Sequence, residues 1–184
     1  LIKQPPSTSE TPGEAAARIF ALNDRINQLL IEKLDSRAWS ARLPAPRSLE
    51  VRTIAAIFTH MHNVRTKWIR LNAPHLEVPA QLGRARCTPQ QARAALATSA
   101  AACVQMLAEA LDGSGRIVSF LRDGWAQPLP PGREMLWYML AHEAHHRGQV
   151  CMLAHQLGFK LPGKITSAMW NWEAMIRDHH GRMD

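Results

Sequence analysis

The stretch MLWYMLAHEAHHRGQVCMLAHQLG, residues 135–158, decides how the chain folds. Met135, Met139, Val150, Leu153 and Leu157 recur at helical spacing and form one apolar stripe. The helix starts after Pro130 and Pro131 and runs to Leu157, where Gly158 is a natural C-cap. Continued through its middle, the stripe lands on His142 and His146. Two imidazoles therefore stand where a core seam belongs. They are one turn apart, about 40° around the axis and about 6 Å along it. That geometry suits two ligands of one metal ion. A lone histidine on an apolar face is more often a hydrogen-bonded core residue. A pair left unpartnered in a bundle core, however, carries a desolvation cost that a shared cation would relieve.

The residues around this pair take supporting parts. His145 lies one step to the side, in line with Tyr138, Ala141, Gly148 and Met152, and reads as a supporting group rather than a ligand. Glu143 points further from the stripe, as a solvent-facing charge or a partner of Arg147 at i+4. Gly148 costs about 1 kcal/mol against alanine in mid-helix and would let another helix or a substrate come close. His145, Glu143 and Gln149 are the candidate catalytic residues, placed to handle protons or orient a substrate.

A tetrahedral site needs a third ligand from elsewhere. His60 and His62 lie in an earlier helical segment, where Ile54, Ile57, Met61, Val64, Trp68 and Leu71 alternate at gaps of three and four. His60 falls between Ile57 and Val64, beside that seam. His62 lies well around the helix, toward solvent. Facing therefore selects His60, and His60, His142 and His146 would leave one coordination position open for water or substrate.

The other elements follow from caps and breakers. A first helix spans about Glu14 to Leu34, with Thr11 as cap, Pro12 at its first position, and a stripe of Ala17, Phe20, Ile26, Leu29 and Leu30. The second spans about Leu49 to Leu71 with Ser48 as cap. The third starts at Thr88 and Pro89 and ends near Leu111, and its many alanines suit close packing. Residues Ile117 to Arg122 form a short strand or a helical turn. A fifth helix, about Ser167 to Asp178, carries Trp170, Trp172, Met175 and Ile176. Four long helices in one short domain predict an all-α four-helix bundle with an additional C-terminal helix. Residues 1–13 read as a flexible lead-in without the apolar core of a signal peptide, and 14–184 as a single helical domain.

Composition narrows the function. With 46% hydrophobic and 20% charged residues in 184, the chain can bury a core without staples. The odd set Cys87, Cys103 and Cys151 shows no metal or redox spacing, so reduced thiols in a cytoplasmic protein are expected, with one reactive thiol as the alternative. The net charge of +7 is scattered, without a basic run or a nucleic-acid motif, so no nucleic-acid partner is expected. No stretch reads as a membrane span.

His60, followed by Val64 and Trp68 within Thr59 to Arg65 and beyond, together with His142-Glu143-Ala144-His145-His146-Arg147-Gly148-Gln149, resembles the DinB/YfiT family. The likeness runs from the first helix to the fourth, and its HxxxHRGQ part is the specific one. It implies an up-down-down-up four-helix bundle in which His60, His142 and His146 bind one divalent ion, nickel or zinc. It also implies homodimers, and a small-molecule substrate such as a low-molecular-weight thiol in a metal-dependent transferase or isomerase reaction. The fifth helix and the lead-in are less typical of that family.

Three functions compete. The first is a metalloenzyme in which the metal polarises a substrate or activates a bound thiol or water. The second is a zinc peptidase, since His142 to His146 formally matches H-E-x-x-H. Against it, Gln149 stands where the longer peptidase pattern needs glycine, and a downstream glutamate ligand would have to be Glu173 on a separate helix. The third is a non-catalytic metal-binding or protein-interaction module, with the Trp-rich last helix as its surface.

Overall fold

The computed structural model describes residues 10–44, 52–83, 87–122 and 127–180. The described chain is all-helical: α1 Pro12–Lys33, α2 Ile54–Asn72, α3 Pro89–Ala110, α4 Arg133–Gln156, α5 Gly163–Ala168 and α6 Trp172–His180, with a 3-10 turn at Ser36–Ala38. Threonine starts the first three helices. The hydroxyls of Thr11, Thr53 and Thr88 each accept from a backbone N–H of the first turn. In α1 and α3 the side chains of Glu14 and Gln91 reach back to the cap and close a capping box. The start of α2 is thus set by Thr53, five residues beyond the expected Ser48, which lies outside the described residues together with Leu49.

The four long helices pack in the cyclic order α1, α3, α2, α4. Gly13 at the start of α1 lies against Ala108 near the end of α3, and Gln28 donates to the carbonyl of Arg93 near the start of α3, so these two run antiparallel. One apolar cluster gathers Leu30, Ile31, Ile54, Phe58, Leu96, Val150 and Leu153. The other gathers Phe20, Trp68, Ile69, Met106, Leu107, Met135 and Met139. Early residues of α2 and α3 thus meet late residues of α1 and α4, and the reverse holds at the other end. Between the two clusters, at mid-height, lies a layer of buried polar side chains.

Three expected elements differ. Residues from Ile117 run as extended chain, and Phe120 exchanges two backbone hydrogen bonds with Leu129, at 2.7 and 2.9 Å, in an isolated bridge. This is neither a helical turn nor a strand of a sheet. The expected fifth helix is two, α5 and α6, because the side-chain oxygen of Asn171 accepts from the N–H of Ala174 and starts a new helix. On α1, Ala17 and Leu29 are only partly buried, whereas Asn23, Asp24 and Asn27 lie in the core. Of the expected lead-in, residues 1–9 lie outside the described residues, and Thr11 to Gly13 belong to the start of α1. No helix among the described residues is long and apolar enough to cross a membrane.

The contact of α1 with α3 is tight enough to test. A Cβ on Gly13 would lie 2.8 Å from the carbonyl oxygen of Ala108, a backbone atom that cannot swing away. Gly13→Ala is expected to lower stability by about 1–3 kcal/mol in urea denaturation; an unchanged midpoint would contradict this packing.

Candidate metal centre

Helix α2 buries two rows of side chains. Ile54, Ile57, Met61 and Trp68 form one, and Ala55, Phe58, His62, Arg65, Ile69 and Asn72 the other. His60 stands beside the first row, half-buried. On α4 the buried row is Met135, Met139, Glu143, His146, Val150 and Leu153, with His142 half-buried at its edge. α2 and α4 pack side by side, and their histidines converge. One nitrogen from each of His60, His142 and His146 lies within 4.8 Å of the other two. The ring centroids are 5.4 Å apart for His60 and His142, 4.7 Å for His60 and His146, and 4.5 Å for His142 and His146.

The surroundings suit ligand histidines. The Nδ1–H of His146 donates to Oε1 of Gln149 at 2.7 Å, which leaves its Nε2 lone pair for a cation. The amide of Gln149 in turn donates to Nε2 of His145 at 3.0 Å. The buried Nδ1 of His142 has no hydrogen-bond partner, a cost that a bound cation would offset. Trp68 presents an edge-to-face contact to His142, with centroids 5.2 Å apart, and Tyr138 stands behind Trp68. Burial, reinforced by the neighbouring His146 and His60, pushes the pKa of His142 down to about 4. Burial also lowers that of His146, partly offset by Gln149. Both imidazoles are therefore neutral near pH 7, the state a metal requires.

The DinB family model matches residues 10–174. The chain belongs to the DinB family. No curated protein matches it. Within this DinB chain, the structure brings together the three histidines that facing and resemblance selected, and it corrects two neighbours. His62 does not face solvent. It is fully buried, with Nδ1 3.1 Å from the Ser99 hydroxyl and Nε2 2.9 Å from the Ala80 carbonyl. Its row points at α3, a second buried face that the single apolar seam did not reveal. Glu143 is neither solvent-facing nor bonded to Arg147. It is completely buried and accepts from Nε and Nη2 of Arg65 at 2.6 and 2.7 Å.

That ion pair anchors a larger network. Asn23 and Asn27 donate to Glu143 at 2.6 and 2.7 Å and accept from Arg147 at 2.5 and 3.2 Å. Arg65 also donates to Asp24 at 2.7 Å and to the Leu96 carbonyl at 2.9 Å, with the Phe20 ring stacked near its guanidinium. Burial opposes the charge of Glu143, but Arg65 and the Asn27 amide outweigh it and hold its carboxyl below the usual range. Burial raises Asp24, only partly countered by an arginine it shares with Glu143. Sequence reasoning missed Asn23, Asp24, Asn27 and Arg65. The signal was there, since Asn23, Asn27, Arg65 and Glu143 all fall at helical spacing within apolar rows. The cysteines are free, and burial raises the pKa of Cys87, Cys103 and Cys151, which disfavours a reactive thiolate.

Two outcomes follow from this electrostatics. Glu143→Leu leaves the buried Arg65 with Asp24 as its remaining carboxylate partner and takes the acceptor from Asn23 and Asn27, and is expected to cost about 3–5 kcal/mol in chemical denaturation, whereas a loss below about 1 kcal/mol would refute the network's strength. In metal-free protein, unfolded His142 takes up a proton near its ordinary pKa of 6.5, while folded His142 resists until about 4. Stability therefore falls as pH drops between those values. Thermal melts across that window should show a shallower slope for His142→Gln than for wild type; equal slopes would contradict the shift.

Proposed function

We propose that this DinB protein holds one divalent ion, nickel or zinc, on His60, His142 and His146, and that it is a metalloenzyme with an open coordination position. The observation that supports this best is the convergence of the three imidazoles within 4.8 Å, among residues that fix their orientation. When bound, such an ion supplies Lewis-acid chemistry, polarising a substrate or lowering the pKa of a coordinated thiol or water. The chain's own residues do the rest. Gln149 fixes the tautomer of His146. Trp68 packs against His142. The Glu143–Arg65 pair keeps α4 in register with α2. His145, exposed and linked to His146 through Gln149, is the group placed to exchange protons with solvent.

A thiol-dependent transferase or isomerase reaction on a small molecule, in a cytoplasmic homodimer, is the reaction class that family resemblance supports. The peptidase reading loses its base. The carboxylate of Glu143 is committed to Arg65, Asn23 and Asn27, and Glu173 is exposed on α6 and pairs with Arg177.

Elemental mass spectrometry of tag-free protein tests the proposal. Wild type should carry about one nickel, zinc or related ion per chain as purified, and His146→Ala and His60→Ala should each carry far less, regaining an ion only when the metal is offered in excess. Gln149→Leu should keep the fold and bind about 10- to 100-fold more weakly. Failure of wild type to take up any offered divalent ion would overturn the proposal.

A further inference from the structure

A cavity lies on the side of α4 away from the three histidines, toward α1. It measures about 250 Å³ and is lined by Ile26, Arg147, Gly148, Cys151, Trp170 and Trp172, among others. Its lining is mostly apolar, and Arg147 is the one charged residue in it. That residue is half-buried, and its Nη1 is held by the side-chain oxygens of Asn23 and Asn27. Among the described residues, no carboxylate reaches Arg147 at ion-pair distance, and its Nε and Nη2 have no protein partner. The nearest counter-charge, Glu143, is reached only through the two amides. The opposite wall consists of indoles that the fold leaves open: Trp170 is 79% exposed and Trp172 45% exposed.

We propose that this cavity binds a small aromatic or apolar carboxylate. The carboxylate would take the Nε and Nη2 donors of Arg147 that Asn23 and Asn27 do not use, and the flat body would lie between Ile26 and the indoles. Three features converge on this class of ligand. Two unused guanidinium donors form a fork that matches a carboxylate. The volume lies below that of a drug-sized pocket and fits about one substituted ring. A pocket with one convergent polar group among apolar walls fixes a ligand's orientation through that group. Gly148 contributes by absence, since a Cβ there would meet nothing within 4 Å, so the rim beside the ligand stays low. The site uses none of the three histidines and does not depend on a metal.

Ligand-observed NMR and calorimetry on metal-free protein test it, with indole-3-acetate as probe and its primary amide as neutral control. The acid is expected to bind at millimolar concentration or below, at least about tenfold more tightly than the amide. Arg147→Gln should abolish that preference. Because Arg147 also touches the buried network, two variants on the cavity wall and rim serve as independent checks. Trp170→Ala and Gly148→Leu should each weaken the acid by about tenfold or more without altering the fold. Equal binding of acid and amide, no binding at about 10 mM, or insensitivity to both of these variants would overturn the proposal. So would light scattering that shows a dimer dispersed by Trp170→Ala, because a second copy would then occupy the cavity.

Discussion

Arg65 and Glu143 are both completely buried, and holding either charged in the core without the other would cost several kcal/mol. The pair is possible only because α2 and α4 present the two side chains to each other at one height, with Nε and Nη2 of the guanidinium against the two carboxylate oxygens. That requirement fixes the register of the two helices. His60 lies five residues before Arg65, and His142 and His146 flank Glu143, so the same register brings the three imidazoles together. A slip of α4 by one turn would separate both the ion pair and the histidines.

The network also explains why α1 is polar at its middle. Asn23 and Asn27 present amide donors to Glu143 and amide oxygens to Arg147, so Arg65 binds the carboxylate directly while Arg147 reaches it through a pair of neutral bridges. Asp24 takes the remaining side of Arg65. The core is thereby divided into two apolar clusters with a hydrogen-bonded layer between them. Such a layer specifies one arrangement of helices more strictly than an apolar core would, because any other leaves buried charges unpaired. On one side of α4 the layer supports the histidines; on the other it leaves Arg147 facing a cavity.

Much of this was legible in the sequence. The bundle followed from apolar spacing and from Thr11, Thr88 and their following prolines, and the histidines followed from the stripe of α4. The polar layer was not read, because a single apolar seam was sought on each helix while α2 buries two rows. His62 was placed in solvent for that reason. Glu143 was placed there because the stripe was continued through His142, whereas Met139, Glu143, His146 and Val150 form the row that is buried. Opposite charges on the buried faces of two helices show their meaning only once the helices are known to be neighbours. The break between α5 and α6 was a local matter, since Asn171 could be read as a helix interior or as a cap, and the cap prevails.

Three histidines held by one polar layer as ligands of a single ion would leave a direct signature in the metal's coordination shell. X-ray absorption spectroscopy of the zinc- or nickel-loaded protein tests it most directly. Imidazole nitrogens are expected at about 2.0–2.1 Å, numbering about three, with a further light-atom ligand, and about one imidazole's scattering should be lost in His60→Ala loaded with excess metal. A shell of carboxylate or thiolate donors, or a spectrum unchanged by His60→Ala, would contradict it.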